Sequence, residues 1–437
     1  MILIDGCRVV VTMDDAGTEL ENGSILIDGG VLTWIGQGRP PVHEQPDVID
    51  GRGLVALPGL INTHHHLYQT FTRVRAQEGG LFDWLRELYP VWATIDADWE
   101  RTAAEVGLAE LALSGCSTTT DHHYVFPAGV TGLLETEIEV AGQLGMRFHP
   151  CRGSMDLGES SGGLPPDRMV EDIDTILAAT DDAIQRFHDP APGSMLRIAV
   201  GPCSPFSVSQ RLMRESAALA RRRNVRLHTH IAETLDEESY CKSTFNRRPL
   251  ELLEDLGFLG PDVWLAHCVH VDDADIKRMA ATRTAVAWCP TSNMRLGSGF
   301  APAREMIDAG VQVGLAVDGS ASNDSGNLLA EARQAMLTTR GRKGAASMSA
   351  RQALRVATRG GAAALGRDDV GSLEVGKRAD IALFATDGLA FRGAEGDPVA
   401  ALLFCNPGPV HHLFVEGKLV VHDGQLVNLS EATMISA

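Results

Sequence analysis

No stretch of the 437-residue sequence approaches the ~20 consecutive apolar residues of a spanning helix, so no membrane helix and no membrane partner are expected. Positive charge is in short supply: 38 Lys and Arg stand against 57 Asp and Glu, a net charge of −19. A surface this acidic repels phosphate backbones and anionic lipid, which argues against nucleic-acid binding but not against a neutral small molecule. The eight cysteines include no C-x-x-C pair, and free thiols in a reducing cytoplasm are expected. The opening MILIDGCRVV lacks the basic and long apolar regions of a secretory signal, in keeping with a cytoplasmic protein. No Gly-rich phosphate loop follows the first apolar run of the middle region, which disfavours a doubly wound dinucleotide-binding sheet.

What is present is a repeated alternation. Eight short apolar runs end in polar residues and are separated by helical stretches: 57–66, 116–124, 146–154, 196–205, 225–233, 263–271, 284–293 and 311–320. Eight such units predict an α/β fold of the (β/α)8 TIM-barrel type, with its chemistry at the C-terminal ends of the strands. Both chain ends read instead as short strands broken by Gly and Asp turns, which predicts a small β-sandwich domain from residues 1–57 and 371–437 around a barrel of residues 58–370. After the fourth run, Ser207 and Gln210 are spaced as a capping box, with Leu212, Ser216 and Leu219 following at helical intervals.

Histidines and acids gather where the runs end. His64 and His66 flank His65, and alternation along a strand puts the outer two on one face, where they can grip one ion. The fifth run carries His228, His230 and Glu233. His230 is nearer the strand end and is the better ligand, while His228 reads as a supporting hydrogen-bond residue. The sixth run carries His267, and the eighth ends in Asp318, a carboxylate that is costly to bury without a cation. His64, His66, His230 and Asp318 thus offer a one-metal nitrogen and oxygen site, with His267 and Glu233 beside it. Gln69, Trp92, His122 and Arg152 are candidates to bind substrate: an amide for a ring edge, an indole to stack, and two cationic or polar groups for a carbonyl. Arg152 is equally readable as a structural ion-pair partner.

The segments PGLINTHHHL, HTHIAET, LAHCVH and VGLAVDGS, in that order, resemble the amidohydrolase superfamily in its branch of triazine hydrolases and nucleobase deaminases. The resemblance covers nearly the whole chain. It implies one divalent metal ion, of the Zn2+ type, held by His64, His66, His230 and Asp318. It further implies that His267 orients the attacking hydroxide, that Glu233 shuttles a proton to a substrate ring, and that Asp318 accepts the water proton. The fourth run, LRIAVGPCSP, has no lysine, where two-metal members carry a bridging one; a single metal is therefore expected. SGCSTTTDHH and RFHPCRGSMDLGESSGGLPPD resemble 8-oxoguanine deaminase-type members, implying deamination of a 2-amino nitrogen heterocycle such as 8-oxoguanine, giving urate and ammonia. An isocytosine or guanine deaminase, an s-triazine amino- or chlorohydrolase, and a non-catalytic barrel scaffold are the alternatives. A homo-oligomer is a family expectation only.

Overall fold

The computed structural model describes residues 1–41, 44–405 and 408–436. Its central sheet is parallel and contains ten strand segments. Cys116–Thr119 and His122–His123 are two halves of one interrupted strand, as are Arg147–Phe148 and Cys151–Ser154. Counting each pair once leaves eight strands. The first halves pair with each other next to Leu60–Asn62, and the second halves pair with each other next to Ala199–Pro202, so the sheet closes on itself. The last seam is sealed between the eighth strand, Val313–Leu315, and the first, where the Thr63 amide donates to the Leu315 carbonyl and the Asp318 amide to that of His64. All eight apolar runs supply barrel strands, as their two-sided burial requires.

Helices cover the barrel, and their starts follow the chemistry of the orphan N-terminal amides. Asp96, Asp172, Thr234, Asp272 and Asn327 each cap a helix with a side-chain oxygen. The helix after the fourth strand begins two residues later than the expected capping box. Ser209 accepts from the Leu212 amide, while Ser207 turns away to pair with Ser204. Leu212, Ser216 and Leu219 are buried on that helix as their spacing requires.

The two chain ends interleave in one nine-stranded sheet. Leu54–Pro58, the last strand before the barrel, lies antiparallel to Ile381–Ala385, one of the first after it. Ile4, Val10, Ile25, Leu54, Ile381 and Phe414 form a core of this sheet's own. Arg147, fully buried at the start of the third barrel strand, ties the two sheets together through Asp380 and Glu416. Among the described residues no helix is long and apolar enough to cross a membrane.

Candidate active site

Hydrogen bonds fix the tautomers of the buried histidines, and these tautomers define the site. His66 Nδ1 lies 2.9 Å from the carbonyl oxygen of His122, and His230 Nδ1 lies 2.7 Å from that of Cys203. A carbonyl only accepts, so both Nδ1 atoms carry protons and both Nε2 atoms carry lone pairs. His228 Nδ1 likewise donates to the Trp264 carbonyl at 2.7 Å. Its Nε2 must then accept from His64 Nδ1 at 2.8 Å, which leaves His64 Nε2 as a third lone pair, buried and without a partner. These lone pairs converge: His66 and His230 Nε2 are 3.1 Å apart, and Asp318 Oδ1 lies 3.3 Å from His64 Nε2 and 3.5 Å from His66 Nε2.

Four acceptors without a donor among them would repel one another in an empty, buried space. Bonds of about 2.0–2.1 Å to one tetrahedral ion place donors at about the separations seen, so the set fits a zinc-type cation. Ionisation agrees. Burial pushes His64, His66 and His230 below the usual histidine range, keeping them neutral. Burial alone would raise Asp318, but the imidazoles of His64, His267 and His66 around it outweigh burial and hold the carboxyl well below its usual value. His122 belongs to the same imidazole cluster; its Nε2 donates to the Gly201 carbonyl at 2.8 Å, which leaves its Nδ1 as a further buried lone pair. A Cβ at residue 201 would lie 2.8 Å from His122 Nε2, so glycine is required there.

The strand ends are strained to aim these groups. Ala232, His267 and Asp318 have φ of 51°, 72° and 67°, the left-handed region that non-glycine residues avoid. Glu237, in the first turn of the next helix, accepts from the amides of Ala232 and Glu233 and secures the turn that presents Glu233. Glu233 Oε2 stands 3.5 Å from His267 Nε2. Burial raises Glu233 to about 7 against the opposing charge of His267. His267 donates through Nδ1 to Asn293 at 3.0 Å. Burial disfavours its charge, yet Glu233, Asp318 and Asn293 together hold its pKa above the usual histidine value. Ser292 donates to Asp318 Oδ2 at 2.5 Å.

His66, His230, Glu233, His267, Asp318 and Gln69 all line one cavity of about 30 Å3. Trp84, Leu85, Tyr89, Tyr124 and Phe206 form its apolar walls. The Gln69 side chain makes only long contacts, accepting from the Ala321 amide at 3.4 Å and donating to the Tyr68 hydroxyl at 3.5 Å. Its approach depends on Gly319, where a Cβ would meet Gln69 Oε1 at 2.0 Å. A larger cleft of about 870 Å3 lies at the opposite end of the barrel, beside the start of the eighth strand. Its basic side chains Arg304, Arg355, Arg359, Arg367 and Lys377 are each paired with an acid, and it holds none of the converging donors.

Three expected substrate contacts lie elsewhere. Trp92 is fully buried among Tyr68, Trp84 and Tyr89, and its indole nitrogen donates to Thr72 at 3.0 Å. His122 packs against His230 and His228 and does not line the cavity. Arg152 points to the barrel's outer side, where it grips Glu171 with two 2.8 Å hydrogen bonds and stacks 3.8 Å over Phe126. The site also takes in Trp84, Tyr89, Tyr124, Ser292 and Asn293, whose signals in the sequence are the apolar period of WLRELYPVW, the tyrosine closing CSTTTDHHY and the polar CPTSN that ends the seventh strand.

The amidohydrolase family model matches residues 55–420, which takes in every group just described. The chain belongs to the amidohydrolase family. An 8-oxoguanine deaminase from Pseudomonas aeruginosa is 46% identical over 96% of this chain and 94% of its own length. A hydroxydechloroatrazine ethylaminohydrolase from a Pseudomonas species is 39% identical over 100% of this chain and 94% of its own. An atrazine chlorohydrolase from Arthrobacter aurescens, solved with zinc, superimposes with a TM-score of 0.96 at 37% identity, covering 100% of this chain and 98% of that one. This amidohydrolase is accordingly a hydrolase that uses a single divalent ion of the zinc type, on a TIM barrel.

Proposed function

We propose that this amidohydrolase removes an exocyclic amino group, as ammonia, from a 2-amino nitrogen heterocycle, with 8-oxoguanine as the substrate and urate as the product. His64, His66, His230 and Asp318 hold the ion. When bound, it supplies Lewis acidity that brings water's pKa towards ~7. Asp318, kept ionised and oriented through Oδ2 by Ser292, takes the proton of the attacking water. The water oxygen bonds to the ring carbon bearing the amine. Glu233 protonates the adjacent ring nitrogen, drawing the electron pair away from the attacked carbon. Asp318 then passes its proton to the amine, the hydroxyl proton goes to the Glu233 carboxylate as its oxygen's electron pair forms the carbonyl, and the C–N bond breaks to release ammonia. His267, held by Asn293, positions the incoming oxygen between Glu233 and Asp318. Gln69 offers a donor and an acceptor to the ring edge, and Trp84, Tyr89 and Phe206 enclose its faces.

The observation that carries this reading is Glu233 itself: a carboxyl on the cavity wall, raised to about 7, beside His267. Such a group is matched to proton donation near neutrality. Loss of an amine needs that proton, whereas chloride leaves without it. The likeness to the atrazine chlorohydrolase supports s-triazine hydrolysis as the second reading. An ammonia-release screen over 8-oxoguanine, guanine, isocytosine, ammeline and hydroxyatrazine derivatives tests both. Activity on 8-oxoguanine is expected, and no activity on any 2-amino heterocycle refutes the proposal.

A further inference from the structure

Three histidines outside the barrel crowd around one carboxylate. His411 precedes and His412 opens the strand His412–Val415 of the chain-end sheet, and His422 ends its antiparallel neighbour, Lys418–His422. The turn that follows, Asp423-Gly424, folds back on them through a hydrogen bond from the Gly424 amide to the His411 carbonyl. Asp423 Oδ1 lies 3.3 Å from His411 Nε2 and 3.8 Å from His412 Nε2, and Asp423 Oδ2 lies 3.5 Å from His422 Nδ1. The His411, His412 and Asp423 donor atoms all fall within 4.8 Å of one another. The rings of His411 and His412 are 4.3 Å apart, and those of His412 and His422 are 4.9 Å apart.

We propose that His411, His412 and Asp423, with His422 beside them, form a second divalent-cation site, distinct from the catalytic one and selective for borderline ions such as zinc, nickel or copper(II). Imidazoles with a carboxylate are donors these ions accept more readily than magnesium or calcium, which favour all-oxygen sites. The 3.3 and 3.8 Å separations of His411 and His412 Nε2 from Asp423 Oδ1 are near those set by bonds of about 2 Å to a common ion. Loading His412 through Nε2 moves its proton to Nδ1, at the expense of the long 3.3 Å contact from the Asp423 amide. That amide belongs to an exposed turn, so water replaces the contact at small cost. The catalytic cluster sits on the other sheet, and no residue is shared between the two.

The test is to titrate the full-length enzyme with Zn2+ and, separately, Ni2+, and to count bound equivalents by elemental analysis after desalting. Two equivalents per chain are expected for the unaltered protein and one for the His411→Ala/His422→Ala variant, with ammonia release unchanged. Asp423→Asn preserves the turn and is expected to weaken the second equivalent by roughly 10–100-fold or more. One equivalent in the unaltered protein, or a second equivalent that survives both sets of changes, overturns the proposal.

Discussion

His66 and His230 face each other at 3.1 Å, nitrogen to nitrogen, with lone pairs on both sides. Each ring is locked in that state by a backbone carbonyl behind it, His122 for one and Cys203 for the other. The barrel thus sets tautomers that leave both Nε2 lone pairs free for a cation. Such outer contacts make metal affinity sensitive to residues that never touch the ion.

His228 tests that sensitivity. It stacks 4.4 Å over Trp264 and accepts the His64 Nδ1 proton. His228→Phe retains the stack and removes the acceptor, releasing the His64 ring to rotate. Metal affinity is expected to fall roughly 10–100-fold, read by chelator competition. Unaltered affinity would mean that the relay does not orient His64.

Glu233→Gln removes the proton donor and leaves the proposed metal ligands intact. Turnover is expected to fall by about 10²–10⁴ with metal content unchanged. The sign of the pH dependence follows from the raised pKa of about 7: the protonated donor is present below that value and lost above it. The alkaline fall of kcat/KM near neutrality should therefore vanish in the variant. A profile of the same shape in both proteins contradicts the assignment.

Arg152 separates substrate binding from stability. Its guanidinium holds Glu171 and covers Phe126 away from the cavity. Arg152→Ala is expected to cost about 1–3 kcal/mol, seen as a lower Tm, and to leave KM unchanged. A raised KM without loss of stability would return Arg152 to the substrate.

The cavity of about 30 Å3 admits a water, against the roughly 300–1,000 Å3 of ordinary ligand pockets. A heterocycle enters only if a wall moves. The helix Leu81–Trp92 provides Leu81, Trp84, Leu85 and Tyr89 to that wall, and Val74 and Ala76 before it have φ of 61° and 48°. Amide exchange over 73–92 should slow when product or an inert analogue binds. Identical exchange with and without ligand would place the moving wall elsewhere.

The barrel was legible because each strand is buried on both faces and ends in a polar residue, giving eight apolar runs with a fixed ending. The converging donors were legible because parity along a strand is strict: His64 and His66 share a face, as do His228 and His230. Parity reports face but not depth. His122 points inward yet stops short of the cavity wall. Arg152 follows Cys151, which packs with Ile61 and Ala199 inside the barrel, so the same alternation sends Arg152 outward. Helical period has a similar limit. Trp84 and Trp92 lie on the buried side of one helix, and only the helix's placement decides that Trp84 reaches the cavity. The partners Ser292 and Asn293 depend on a short helix after the seventh strand, whose direction no local pattern sets.

The most direct measurement is ammonia release by protein stripped of metal with a chelator and then returned to zinc. With 8-oxoguanine as substrate, stripped protein should show no turnover. Activity should return in step with occupancy of the His64, His66, His230 and Asp318 cluster, and fail to return in His230→Ala. Full turnover by protein shown to be free of metal would contradict the account.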